Sequence, residues 1–385
     1  MRYRHERFGA IVASDEPAVL AHIDTELCGE LGIAPSPLWQ EPPRELLSAP
    51  TEAHLMVTRR CPLSCSHCYT SSSPDAGEDL STSELERRID ALAERKVFHL
   101  AMGGGEAFLR PDLIHLARYA RARGVTPSLT TMGGLLTEEL ARRCAGVFGQ
   151  VNLSYDGVSE GHRRPFGEDK SSLAEVAVMR LREAGVRVGF NVVVTRQSYE
   201  ELSAIADAAA RFQVVDMELL RFKPAGRGRD DYLAHRLTEE QRRGLFPKVL
   251  ELTARTGVPI KLDCSSAPFI ACHEPSVERM ARFDVVGCIG GVSLLGANER
   301  GEISACSFYP SEGRDLLELG EAWDDPGSFR EFRSYVEEAP EPCRSCAYLT
   351  VCRGGCRAVA RFLTGDVTAP DPECPRVLAA ARLEC

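Results

Sequence analysis

The sequence predicts an α/β protein: a partial (β/α)6 TIM-like barrel, with a small N-terminal unit before it and a cysteine-rich C-terminal domain after it. Three observations carry this expectation. From residue 52 to 255, six strand-like apolar runs alternate with amphipathic helical stretches, the pattern of parallel strands joined by helical crossovers. Six such units are too few for a closed eight-stranded barrel, so an open one is expected. Beyond residue 260 helical periodicity fades, and glycine, proline and cysteine take over. The length of 385 residues also calls for two or three domains rather than one core.

Residues 1–50 form the first unit. Phe8–Ser14 reads as a strand and Ala18–Leu31 as a helix, or a strand followed by a helix; the proline-rich Ala34–Pro50 reads as a linker. So short a piece is expected to pack on the neighbouring domain. Residues 51–258 form the barrel, with strands at Ala53–Thr58, Val97–Met102, Thr126–Met132, Gln150–Ser154, Val188–Thr195 and Val214–Phe222. A helix over Ser83–Lys96 places Leu85, Ile89 and Leu92 on one face. Ser81 with Glu84, and Thr238 with Gln241, have the spacing of capping boxes. Residues 259–385 form the last domain, expected to be held by metal more than by an apolar core.

Composition excludes several classes. Hydrophobic residues at 44% and charged residues at 26% suit a soluble globular chain. A net charge of −10 argues against nucleic acid as a partner. The start, Met1-Arg-Tyr-Arg-His, has no apolar signal region, and no run approaches the roughly eighteen apolar residues of a membrane span. A cytoplasmic protein with no membrane partner is expected. In that reducing compartment, fifteen cysteines point to metal or catalysis rather than disulfides.

Two constellations hold most of them. Cys61-Pro-Leu-Ser-Cys65-Ser-His-Cys68 follows the first strand directly, where such barrels place reactive groups. A four-iron cube takes four ligands, so three thiolates leave one iron open to chelate an amine and a carboxylate. The alternative is zinc, which wants four ligands, with His67 or His99 as the fourth. After the second strand comes Met102-Gly-Gly-Gly105-Glu106-Ala-Phe-Leu-Arg-Pro-Asp112, whose glycines allow close backbone approach to a ligand. Ser154-Tyr-Asp156-Gly157 ends the fourth strand with groups suited to ribose hydroxyls, and Asn191 lies on the fifth. The second constellation is Cys288, Gly301-x4-Cys306, Cys343-x2-Cys346-x5-Cys352-x3-Cys356 and Cys374.

On these motifs the chain resembles the radical S-adenosylmethionine (SAM) superfamily, and its C-terminal cysteines match the pattern of the SPASM domain. The resemblance implies three [4Fe-4S] clusters. Cys61, Cys65 and Cys68 would be the catalytic, SAM-binding set; Gly104, Gly105 and Glu106 would hold the SAM amino group, and Ser154, Asp156 and Asn191 would lie beside its nucleoside. Cys343, Cys346, Cys352 and Cys374 would hold the distal auxiliary cluster. Cys288, Cys306 and Cys356 would hold the proximal one, with Cys272 or Cys264 as fourth ligand or an open site; Cys272 is favoured. Cys28 and Cys144 read as ordinary buried thiols.

In such enzymes a 5′-deoxyadenosyl radical takes hydrogen from an unactivated carbon, and auxiliary clusters can accept an electron back. The resemblance implies oxidative modification of a ribosomal peptide, by crosslink or decarboxylation, with flavodoxin or ferredoxin as reductant. Ser307 stands where sulfatase maturases carry an aspartate, which argues against that branch. Residues 1–50 resemble the leader-binding domain of peptide maturases, or form a cap on the barrel.

A rival resemblance is to porphyrin-modifying enzymes of haem pathways, carried by Thr58–Cys61, Cys68–Ser72 and Leu109–Asp112; the basic run Arg221–Arg229 would then bind propionates. That run also suits contact with SAM. His162-Arg163-Arg164 falls where relatives carry a carboxylate-binding arginine, but out of register, and no role is assigned to it. A third class is a non-catalytic iron–sulfur electron-transfer protein, against which the open-site triplet speaks.

Overall fold

The computed structural model describes residues 1–15, 18–42, 46–158, 170–282 and 285–383. Strands β1 (Arg2–Glu6), β2 (Gly9–Asp15) and β3 (Ala18–Asp24) form an antiparallel meander, followed by the helix Thr25–Glu30. Ala18–Leu31 is thus strand then helix. β1 had no apolar alternation to betray it, because its buried residues are charged. The Arg4 guanidinium donates to Glu6 (2.8 Å) and to the carbonyls of Pro50 (2.8 Å) and Ala49 (2.7 Å). Arg2 reaches Thr126 Oγ1 (2.7 Å) and the carbonyl of Gly124, at the entry to a barrel strand. Ile11 and Ala13 pack on Phe98. The N-terminal unit therefore seats on the end of the barrel where strands begin, opposite the end that carries the cysteines.

The main sheet runs parallel through β4 (Glu52–Thr58), β5 (His99–Gly104), β6 (Thr126–Thr131), β7 (Val151–Ser154), β8 (Val188–Val194) and β9 (Met217–Arg221). Each coincides with one of the six expected runs. Helices such as Thr82–Glu94, Arg196–Arg211 and Glu239–Thr256 make the crossovers. The capping boxes at Ser81 and Thr238 both form, each a contribution of about 1 kcal/mol to its helix. One face of the strands, through Leu55, Leu100, Leu129 and Leu153, packs on the helices through Leu85, Ile89 and Leu116. The alternate residues, among them His54, Thr130, Asn152, Ser154 and Asn191, are only partly buried and form a polar inner wall.

The sheet runs on past residue 258. β10 (Ile260–Leu262) joins β9 in parallel, β11 (Leu294–Ala297) joins β4 in parallel, and β12 (Ile303–Ser304) pairs antiparallel with β11. Residues beyond 259 thus form both edges of a nine-stranded sheet. Their reliance on metal needs correction too: Leu295, Ile303, Leu316, Leu319, Trp323 and Phe329 belong to the main apolar core. Strands of two to four residues, and helices as short as Leu349–Cys352, are too brief to leave a periodic signal. No described helix is long and apolar enough to cross a membrane.

Candidate active site

The loop leaving β4 carries Cys61, Cys65 and Cys68. Its main chain is pinned by the Cys61 amide donating to Ser73 O (3.1 Å) and the Cys68 amide donating to Cys65 O (3.3 Å). Arg227, in the turn Gly226–Arg229 beyond β9, supports it from across the barrel mouth. Its Nε donates to Cys65 O (2.9 Å), its Nη2 to Ser72 O (2.7 Å) and its amide to Cys68 O (3.0 Å). Burial raises the Cys61 thiol, and Cys65, Glu106 and Cys68 add to the rise, so the three sulfurs lie within one another's field. Three thiolates gathered here would place like charges together, which a bound cation would offset.

The glycine-rich segment packs directly on the cysteine loop. The Gly105 amide donates to Thr58 O (2.8 Å) and the Glu106 amide to Arg60 O (2.9 Å). A Cβ on Gly104 would strike Thr58 O, and one on Gly105 would strike Arg60 O. These two glycines allow close approach to the root of the cysteine loop, while the Cβ direction of Gly103 is open. Glu106 is 1% exposed, and its carboxylate accepts from Thr131 Oγ1 (2.7 Å), Met132 N (3.0 Å) and Phe108 N (3.1 Å). Burial raises its pKa while these donors hold it back. Gly105→Ala is expected to cost about 1–3 kcal/mol, as overpacking does, and to weaken SAM binding; an unchanged melting temperature with unchanged SAM affinity would contradict this packing.

Ser154 ends β7 in register with Asn191 on β8. Asp156 accepts the Val193 amide (2.7 Å) through Oδ1, and its Oδ2 lies 4.0 Å from His67 Nε2, which ties the strand end to the cysteine loop. Asn191 donates weakly to Thr130 Oγ1 (3.4 Å), while its Oδ1 is buried without a partner. A buried acceptor left unsatisfied costs about 1–3 kcal/mol, so Oδ1 suits a hydroxyl or amine of a bound ligand.

The C-terminal thiols sort into two quartets. Burial raises Cys264 well above the usual thiol range, with Cys288, Asp263 and Cys356 adding to it. Cys306 is pushed up to about 12, by burial first and then by Cys288 and Cys356. In the second set, burial is again the leading cause, followed by Cys374 and Cys343 at Cys352; Cys346 acts on Cys343, and Cys374 rises to about 11. Among the described residues no three His, Cys, Asp or Glu side chains converge tightly enough for a single metal ion. Four thiolates apiece is the donor set that a four-iron cube would take, one at each corner.

Cys272 stands outside both quartets. Its thiol donates to Phe269 O (3.2 Å), and its charged neighbours are Arg243 and Arg376 rather than cysteines. Cys264, the alternative, lies in the field of Cys288 and Cys356, at the turn Cys264–Ser266 that follows β10.

Three cations of the basic run are committed internally, while Arg229 is exposed. Arg221 is buried against Asp371 (2.6 Å) and Glu373 (2.7 Å), Lys223 pairs with Asp263, and Arg227 holds the cysteine loop. None of the three is free to bind SAM carboxylate or a propionate. His162–Arg164 lies outside the described residues. On the inner wall, sequence reasoning missed His54, which lies 2.9 Å from Glu52 Oε1 and 3.0 Å from Ser307 Oγ. Its signal was a histidine on the polar side of an otherwise apolar strand.

Residues 55–209 match the family model of the radical SAM superfamily. The mycofactocin maturase MftC of Mycolicibacterium smegmatis is 31% identical over 357 residues, covering 88% of this chain and 86% of that protein. An AdoMet-dependent heme synthase of Methanosarcina barkeri is 28% identical over 352 residues, covering 86% of this chain and 97% of the relative. In fold, the chain is similar to Streptococcus suis SuiB bound to S-adenosylmethionine, with a TM-score of 0.76 at 16% identity over 97% of this chain and 98% of that one. With its cysteine triplet on the loop after β4 and a parallel barrel behind it, the chain belongs to the radical SAM superfamily, an enzyme of that class working with SAM and iron–sulfur chemistry.

Proposed function

We propose that the chain is a peptide maturase that oxidatively modifies a ribosomally made peptide, by crosslink or decarboxylation, using three [4Fe-4S] clusters and a flavodoxin or ferredoxin as reductant. The observation that carries this reading is the ordered pair of thiol quartets beside the barrel mouth, in a chain whose 31%-identical relative is named a maturase. SuiB, similar in fold, has also been solved with its precursor peptide SuiA.

Cys61, Cys65 and Cys68 would hold the SAM-binding cluster, with Asn191 Oδ1 and Ser154 offered to SAM. Cys264, Cys288, Cys306 and Cys356 would hold the proximal auxiliary cluster, and Cys343, Cys346, Cys352 and Cys374 the distal one. Bound together, SAM and its cluster supply a carbon radical able to take hydrogen from an unactivated carbon. The chain positions the reacting carbon at the polar inner wall and excludes water. His54 belongs to that wall; burial opposes its charge, but Glu52 and Glu218 outweigh burial and raise its pKa.

The heme-synthase relative supports a second reading, action on tetrapyrrole side chains. The internal commitment of Arg221, Lys223 and Arg227 leaves exposed Arg229 as the cation of that run offered to a propionate. Co-expression with the short open reading frame nearest its gene tests the choice. Loss of two hydrogens or of formic acid from the encoded peptide supports maturation; an unmodified peptide, with turnover of a propionate-bearing tetrapyrrole, would replace it.

β3 would receive the peptide's leader. Among the described residues its outer edge has no strand partner, and Val19 (44% exposed) and Leu20 (41% exposed) stand open on it. Such an edge accepts an added strand through main-chain hydrogen bonds. Replacing Val19 and Leu20 by aspartate is expected to weaken peptide binding about tenfold or more and to leave uncoupled SAM cleavage unchanged. Unaltered affinity, measured by titration calorimetry, would leave the unit as a cap on the barrel base.

A further inference from the structure

Arg221, the last residue of β9, meets two carboxylates from the far C-terminal segment. Nη1 donates to Asp371 Oδ2 (2.6 Å), and Nη2 to Asp371 Oδ1 (3.1 Å) and Glu373 Oε2 (2.7 Å). Tyr232 OH (3.0 Å) and Arg236 Nη1 (2.9 Å) complete the shell of Glu373. Asp371 is 0% exposed and Arg221 4%. Replacing such a buried pair by apolar side chains is often neutral or stabilising, so bulk stability alone does not account for it.

What distinguishes Asp371 is the rest of its bonding. Oδ2 also accepts the amide of Cys356 (3.0 Å), a member of the first quartet. The Asp371 main-chain oxygen accepts the amide of Cys374 (3.0 Å), a member of the second. The Asp371 amide in turn donates to Gly354 O (3.1 Å), two residues before Cys356. One buried residue is therefore bonded to the main chain of both ligand sets. Hydrogen bonds and charge in the shell around iron–sulfur ligands set reduction potential and hold ligand geometry.

We infer that Asp371, clamped by Arg221, is a positioning residue that locks the two auxiliary ligand sets into one unit and sets the spacing and potentials of the groups they hold. This rests on the reading that the quartets carry two clusters. Arg221 supplies the fixed end, because it is anchored in the barrel sheet. Glu373 and Tyr232 keep the guanidinium from rotating away.

The test uses the full chain, reconstituted without oxygen, as wild type, Asp371→Asn, Arg221→Lys and the exposed control Asp366→Asn. Iron and sulfide content, EPR redox titrations of each cluster and the magnetic interaction between the reduced auxiliary clusters are measured. Asp371→Asn is expected to raise both auxiliary potentials, since a negative charge beside both is removed, and to change their interaction, while the SAM-binding cluster keeps its potential. Arg221→Lys, which preserves charge but not the fork, is expected to change the interaction more than the potentials. Joint loss of both auxiliary clusters in either variant, with the third retained, also supports the lock.

Loss of only one auxiliary cluster, or potentials and interaction equal to those of the control in both variants, would overturn it. Wild-type protein with iron for one cluster alone would instead refute the two-cluster reading, a result visible before any variant is made.

Discussion

Replacing Cys61, Cys65 and Cys68 together by alanine is expected to abolish reductive SAM cleavage, with 5′-deoxyadenosine falling by a factor of about a thousand or more, to the uncatalysed background. The loss is chemical rather than structural. The loop is held by main-chain groups: Arg227 binds the carbonyls of Cys65, Cys68 and Ser72, and Gly105 and Glu106 bind those of Thr58 and Arg60. None of these contacts uses a thiol, and alanine gives up the contact of Cys68 Sγ with Thr70 Oγ1 (3.2 Å) while keeping these main-chain bonds. The apoprotein's melting temperature should match wild type, and iron should fall by about one cluster in three. Persistent SAM cleavage in the triple variant would show that another cluster performs it.

The second large effect separates Cys264 from Cys272. Cys264→Ser is expected to lower iron from about twelve to about eight per chain, four for each cube. It should end formation of modified peptide while 5′-deoxyadenosine is still produced without coupling. Cys272→Ser should retain its iron and its product yield, because its thiol only caps a short helix at Phe269 O. The reverse result, iron lost in Cys272→Ser and kept in Cys264→Ser, would break the quartet assignment. Serine is chosen for both because it keeps nearly the same volume, so neither site gains a sizeable cavity.

Much of this was legible in the sequence, for a physical reason. Parallel strands covered by helices are long, apolar and regularly spaced, and the cysteine triplet is a contiguous motif, so β4–β9 and Cys61, Cys65 and Cys68 stand out. What stayed hidden was placed by tertiary contact. β1 is buried through arginines whose partners lie 45 to 122 residues away. β11 is four residues long and joins β4 from about 240 positions downstream. Glu106 reads as a ligand contact, and only the fold shows that Thr131 and Met132 also donate to it. Arg221 reads as a free cation until Asp371 arrives from 150 residues further on. The sequence favours Cys272 over Cys264, whereas the neighbours that the fold gives the two thiols favour Cys264.

The pairing of β11 with β4 has a consequence for protein engineering. The segment that carries the auxiliary thiols is woven into the barrel at both margins, through β10 on one side and β11–β12 on the other. It is not a detachable cassette. Truncation near residue 258 would strip β4 of its neighbour and bare a strand edge, a template for aggregation. Chimeras that exchange C-terminal regions between related enzymes would need to carry β4 and its cysteine loop along with the graft. For the same reason, the cysteine triplet and Cys306 hang from one continuous sheet and not from two bodies joined by a hinge, so the span between them is set by strand spacing.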